Sequence, residues 1–196
     1  MGARAYVSVG MKRVWGCVAI VTLAAACGPR VVATATGGGG TACVGERCAR
    51  LQPPGEGWAV LPSDVTHARD GASIGWRHAG LDAVIVAHVT CQADRLKFES
   101  APLEALARIL LLGTTERRTL VDETVPFAGR EARHLVVAAK LDGVPRVFDL
   151  WVARKNDCLL DLSYVAPPER RAAGEAAFRR VVDSAASETT LAGAAR

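Results

Sequence analysis

Apolar residues recur along this chain with two distinct periods. Gly71 to Arg77 and Leu81 to Cys91 predict two strands joined by His78-Ala79-Gly80. The second is rich in β-branched residues (Val84, Ile85, Val86, Val89). It is apolar on both parities, which predicts a strand covered on both faces. The period then changes to that of a helix. Leu103, Leu106, Ala107, Leu110 and Leu111 fall on one side, with Glu104 and Arg108 on the other. Ser100 offers the N-cap, Pro102 fits a first turn, and Gly113 supplies the stop. Strand character returns at 119–127, 131–141, 144–153 and 158–165. The separating turns are Ala128-Gly129, Asp142-Gly143 and Lys155-Asn156-Asp157. Asp-Gly between two apolar runs is the strongest hairpin signal present. Pro167-Pro168 stops the last strand. A helix then runs to about Ala185, its stripe formed by Ala177, Phe178, Val181, Val182 and Ala185.

Strand, strand, helix, four strands, helix predicts an α+β domain, with an antiparallel sheet of about six strands covered by helices. The order of elements over 57–187 resembles the Mog1/PsbP-like fold. The sequence-like part is confined to 144–185, where Cys158-Leu159-Leu160-Asp161-Leu162-Ser163-Tyr164 passes through Val165-Ala166-Pro167-Pro168-Glu169 into a helix containing Phe178. That resemblance implies a binding or assembly factor. An NTF2-like or cystatin-like sheet-and-helix domain is the architectural alternative.

The N-terminal region reads differently. Lys12-Arg13 precede an apolar run from Val14 to Ala26, then Cys27. This is the build of a secretion signal, and it is too short to cross a bilayer, which takes roughly 20 apolar residues. Leu23-Ala24-Ala25-Ala26-Cys27 resembles the lipobox of bacterial lipoproteins. The resemblance implies cleavage before Cys27, a lipid thioether on its sulfur, and acylation of the new amine by a chain such as palmitate. Ala24 stands where that family prefers Leu, and Ala24 with Ala26 also satisfies ordinary secretory cleavage. A soluble secreted product is therefore the rival reading. Gly28 after the cysteine points to the outer membrane. The expected organisation is a signal peptide over 1–27, a flexible tether over 28–56, a globular domain over 57–187 and a tail over 188–196. The tether assignment rests on Gly37 to Gly40 and Pro53-Pro54-Gly55, a composition poor in buryable surface.

Charge changes the picture once the leader is set aside. Removing Arg4, Lys12 and Arg13 from the 24 basic residues leaves 21 against 20 acidic ones. A near-neutral chain argues against nucleic-acid binding, which needs clustered Lys and Arg on phosphates.

Six cysteines are present. Cys17 leaves with the leader, and if Cys27 is lipidated, as the lipobox resemblance implies, Cys43, Cys48, Cys91 and Cys158 remain and can all pair; a free Cys27 would leave five, with one unpaired. Cys43 and Cys48 predict a local disulfide. Cys91 shares parity with Ala83, Ile85, Ala87 and Val89, and Cys158 with Leu160, Leu162 and Tyr164, so both face a core. A structural disulfide joining distant parts of the sheet follows. No second close Cys/His pair accompanies Cys43 and Cys48, and no metal or other cofactor is expected.

Catalytic patterns in this chain are incomplete. Gly71-Ala72-Ser73-Ile74-Gly75 fits G-x-S-x-G, whose mechanism needs a sharp strand-to-helix turn. Here it leads through Trp76-Arg77-His78 into another strand. His88 and His134 sit among apolar strand neighbours, as satisfied sheet histidines do, and His67 and His78 fall in loops. Asp82, Asp149 and Asp161 are strand carboxylates for which solvation or pairing with Arg146 and Arg154 is expected. Trp76 and Trp151 read as core anchors or part of a binding face, with Trp58 at the domain entrance. The sequence thus predicts a non-enzymatic, lipid-anchored envelope lipoprotein that binds an envelope protein or assists assembly. The alternatives are a small-ligand or lipid carrier with a pocket between sheet and helices, and a hydrolase using Ser73.

Overall fold

The structure is a computed structural model that describes residues 31–36, 39–44, 47–62, 71–91, 101–155 and 158–187. The leader, Cys17, Cys27, His67, Ser100 and the tail over 188–196 lie outside the described residues.

Among the described residues, ten strands form two sheets. A small antiparallel sheet comprises β1 (Val31–Thr36), β2 (Gly39–Val44) and β3 (Arg47–Leu51). The main sheet has seven strands in the order β4-β5-β6-β10-β9-β8-β7, with every pairing antiparallel. They are β4 (Ala59–Val60), β5 (Ala72–His78), β6 (Ala83–Cys91), β7 (Thr114–Phe127), β8 (Arg130–Leu141), β9 (Val144–Lys155) and β10 (Cys158–Ala166). Helix α1 (Leu103–Ile109) packs on one face and α2 (Arg171–Ser187) on the other. This is the α+β class expected, and all six predicted strands are present.

Several boundaries differ from expectation for physical reasons. Residues 28–56 are not a tether throughout, since strands begin at Val31. Ala42, Ala49 and Leu51 are buried in the main core. Gly40 lies against the Ile74 side chain so closely that a Cβ there would overlap it. Glycine in this stretch permits close sheet-to-sheet approach as well as chain freedom. The pairing register sets Cys43 opposite Cys48 across β2 and β3. Strand β7 starts at Thr114 rather than near 119, and shifts register between Thr115 and Arg118 and again between Thr119 and Val121. As an edge strand with mostly exposed residues, it needs no apolar alternation, so its first half carries no periodic signal. Helix α1 is shorter than predicted. Pro102 occupies the N-cap with no side-chain cap bond, and Leu110 and Leu111 fall in the turn that follows. The Asp142-Gly143 turn is as expected, with φ of 50° and 78°, the left-handed pair that a two-residue hairpin loop demands.

The two faces of the main sheet bury separate cores. Under α2 and the small sheet lie Ile74, Trp76, Ile85, Val89, Leu160, Leu162 and Tyr164, against which α2 packs Phe178. Under α1 lie Leu135, Val137, Phe148, Leu150, Val152 and Leu159. Cys91 and Cys158 form a disulfide on the α2 face, both buried. Their strands are not distant in the sheet. Strands β6 and β10 are neighbours, and the two cysteines are direct register partners separated by 67 positions in sequence. Against the same core, the Tyr164 hydroxyl donates to the Arg171 carbonyl at 3.0 Å where α2 begins. Gly174 makes room for that ring, because a Cβ there would stand 2.2 Å from the Tyr164 hydroxyl.

Two stability predictions follow from these contacts. Replacing Cys91 and Cys158 together by Ala should cost about 4 kcal/mol in urea denaturation, from the loop released in the unfolded chain. Gly174→Ala should cost about 1–3 kcal/mol through overpacking against Tyr164. Pairing it with Tyr164→Phe should recover part of that loss, since the hydroxyl is the nearest obstacle.

Candidate functional site

On the α1 face, β5, β6, β10 and β9 form the floor of a pocket of about 730 Å³. Strand pairing sets its lining in three rows. The first holds Ser73, His88 and Asp161, register partners across three adjacent strands. The second holds Gly75, Val86, Ser163 and Leu150, and the third Arg77, Val84, Val165 and Phe148. Four residues of strand separate the outer rows, a length of about 13 Å. Leu110, at the end of α1, and Leu61 complete the wall, and Asp82 stands at the far end beside Arg77. The pocket is therefore polar at one end, apolar through its middle and charged at the other end.

In the polar row the histidine is fully engaged. Ser73 Oγ lies 2.7 Å from His88 Nδ1, and Thr90 Oγ1 lies 2.7 Å from His88 Nε2. Ser163 donates its hydroxyl to the Val86 carbonyl at 3.4 Å. Asp161 differs from its neighbours. Its side chain is half-buried, its Oδ1 is wholly out of water, and that atom has no hydrogen-bond partner. Burial among apolar neighbours pushes its pKa up from 3.8 to about 7.

The three strand carboxylates do not converge. Asp161 faces α1, Asp149 faces α2, and Asp82 follows the 3-10 turn Ala79–Leu81 in a left-handed conformation. Arg146 pairs with Asp82 at 2.7 Å, as the sequence suggested. Asp149 pairs instead with Arg171 at 3.3 Å and accepts from His134 Nε2 at 3.0 Å. His134 Nδ1 lies 2.9 Å from Glu123, and its ring stacks on Trp151. Burial alone would pull the His134 pKa down. The bonds to Asp149 and then Glu123 outweigh it, and the net shift is upward. This cluster closes on itself and has the character of a structural network.

Ser73 and His88 stand at a distance suited to a nucleophile and its base. Ser73 nevertheless lies inside β5, is 8% exposed, and follows no turn into a helix. The elbow that would lift the hydroxyl clear is absent there, as the sequence order implied. His78, expected in a loop, ends β5 and accepts from the Leu81 backbone N–H at 3.2 Å through Nδ1. Trp76 and Trp151 are core residues, and Trp58 is half-buried against His78 and Tyr164. Among the described residues, no group of three or more His, Cys, Asp or Glu side chains is placed to hold a metal. Among them, too, no helix is long and apolar enough to cross a membrane.

Sequence reading singled out Asp161 but expected it solvated or paired. A signal was available. Leu159, Asp161, Ser163 and Val165 share a face of β10, and Leu160, Leu162 and Tyr164 share the other, so apolar residues on both parities mark both faces as covered. What the sequence withheld was the pairing of β10 with β6, which brings Ser73 and His88 alongside.

No family model matches the chain, and no curated protein matches it. Solved structures do. A cyanobacterial PsbP (CyanoP) from Synechocystis sp. PCC 6803 is similar at 11% identity, with a TM-score of 0.50 over 88% of this chain and 96% of that one. LpqN of Mycobacterium tuberculosis, a protein involved in cell envelope biogenesis, aligns over 68% of this chain and 79% of its own, at 15% identity and a TM-score of 0.46. The likeness to the cyanobacterial protein shows that the fold is PsbP-like.

Proposed function

We propose that this chain is a non-enzymatic lipoprotein of the bacterial envelope, anchored through Cys27, whose domain binds a small amphipathic molecule in the pocket over β6 and β10. One observation carries the binding reading: an apolar pocket of about 730 Å³ with an unpartnered acid in its wall. Ligand sites have this form, mostly apolar with a few polar groups to fix orientation. Burying a carboxyl without a partner opposes folding, and a binding site is a reason to retain one. The leader and lipobox-like segment support the anchor and the compartment.

A second reading, a protein-binding or assembly module, is favoured by apolar side chains in solvent at one end of the sheet. Leu112 is 73% and Ile109 54% exposed, with Leu141 and Val144 exposed in the neighbouring hairpin. Such residues mark contact surfaces when they form a continuous patch.

Native mass spectrometry of the protein captured from its own envelope tests the choice. The expected result is a small molecule bound at one per chain and lost in Val86→Trp, which fills the pocket floor. A protein partner in place of any small molecule would support the assembly reading and overturn the carrier one.

The cost of Asp161 is separately measurable. A carboxyl whose pKa rises on folding binds its proton more tightly in the native state, so the stability it contributes is complete below pH 3.8. That contribution is lost as pH rises toward 7. Asp161→Asn should therefore exceed the parent protein in stability at pH 8 by about 2–4 kcal/mol, allowing for partial exposure, with the gap closing near pH 4. His134 shifts in the same direction but is common to both proteins and cancels from the comparison. Urea denaturation at the two pH values reads the difference.

A further inference from the structure

The ligand class can be narrowed from the atoms lining the pocket, an inference that rests on the binding reading above. Among the described residues, three buried side-chain atoms lack a hydrogen-bond partner, namely Trp76 Nε1, Arg171 Nε and Asp161 Oδ1. Of the three residues, Asp161 is the one that lines the pocket. Its row neighbours Ser73 and His88 bond to each other, and Thr90 engages the remaining His88 nitrogen. The polar end thus presents one carboxyl group without a hydrogen-bond partner, and that group can carry a negative charge.

We propose that the pocket takes an aliphatic primary amine, whose ammonium donates to Asp161 while its tail lies along Val86, Val84, Leu150 and Phe148.

Charge and donor count separate this class from its rivals. An ammonium brings three donors and no acceptor, and it supplies the counter-charge that a carboxylate out of water lacks. A divalent cation needs about six oxygen ligands, and the polar row offers one carboxylate. An anion would face Asp161 at the polar end, and the cationic side chain in the lining, Arg77, lies two rows away. The tail rows suit an alkyl chain because Val, Leu and Phe predominate in them, with the Ser163 hydroxyl donating to the Val86 carbonyl and Arg77 at the far end. The titratable and charged groups on the face of Asp161 come from each neighbouring strand. His88 stands beside it on β6, and on β9 its register partner Val152 is followed two positions on by Arg154, which donates to the Ala101 carbonyl. Arg133 follows Val152 in the same row on β8, where it pairs with Asp122, and Arg77 and Asp82 stand at the opposite end of the pocket.

The experiment is calorimetric titration of the full chain carrying Cys27→Ala, exported and free of lipid, with octylamine, octanol and octanoate at pH 6, 7 and 8. Octylamine is expected to bind more tightly than octanol, with an affinity that rises about tenfold from pH 6 to pH 8 as the carboxyl is freed of its proton. Protons should be released on binding at pH 7, seen by repeating the titration in buffers of different ionisation enthalpy. Asp161→Asn should abolish both the preference for the amine and its pH dependence, while leaving octanol binding in place. Proton release is measured on the unsubstituted pocket, so the test does not depend on how the variant folds. Octanol or octanoate binding as tightly as octylamine would overturn the amine assignment and leave the binding pocket standing. Failure of all three to bind would overturn the amine assignment together with the carrier reading itself.

Discussion

The pairing of β6 with β10 is the constraint on which the other features depend. It joins β4–β6 to the four-strand meander and fixes eight consecutive register partners, from Cys158 with Cys91 to Val165 with Val84. Both faces of this pair are covered, so register is not negotiable. Side chains alternate with period two, and a slip of β10 by one residue would turn Asp161 and Ser163 into the α2 core and carry Leu160 and Leu162 to the α1 face. The disulfide sits at one end of that pairing, between direct register partners. It therefore holds the alignment that separates polar from apolar positions, besides restricting the unfolded chain. The same alignment places Ser73, His88 and Asp161 in one row, which no local sequence feature requires.

The two faces then take different chemical roles from one pairing scheme. On the α2 face, carboxylates and cationic side chains are gathered into pairs, although Arg171 Nε and Trp76 Nε1 stay unpartnered. His134 stands between Glu123 and Asp149, Arg171 pairs with Asp149, and Arg179 lies over the Trp151 ring at 5.0 Å. On the α1 face, Ser73, His88 and Thr90 satisfy one another and leave Asp161 without a partner. Desolvation therefore acts unopposed on Asp161, whereas on His134 it is outweighed by two carboxylate bonds. A site able to receive a charged ligand is expected where compensation is incomplete, and that condition holds on the α1 face.

Legibility in the sequence follows the same physics. Periodicity revealed the six long strands and both helices because each presents an apolar stripe or alternation to a core. The parity of Cys91 and Cys158 correctly placed both in the α2-side core, since parity is a local property. Their adjacency was not legible, because it depends on strand order. The small sheet escaped notice for a different reason. Val-Ala-Thr and glycine runs resemble linker, yet Gly40 and Ala42 are small because they pack against Ile74 and the sheet beneath. Asp161 was visible as a carboxylate on a covered strand, but its lack of a partner is a fact about neighbouring strands.

Helix length finally explains why the pocket lies where it does. Helix α2 has 17 residues and, with the small sheet, covers β5, β6 and β10 on its side. Helix α1 has 7 residues and packs Leu106 and Ala107 over the β8 and β9 side chains. A helix rises about 1.5 Å per residue, so α1 spans only about 10 Å, against a sheet whose seven strands extend about 29 Å at 4.8 Å per step. Even lying across the strands it could cover little more than two of them. Phe148, Leu150 and Val165, at the edge of the cover that α1 gives, form the pocket floor together with Val84 and Val86. The short helix and the wide sheet thus leave concave apolar surface beside the polar row, so the pocket follows from the way the fold divides its cover between the two faces.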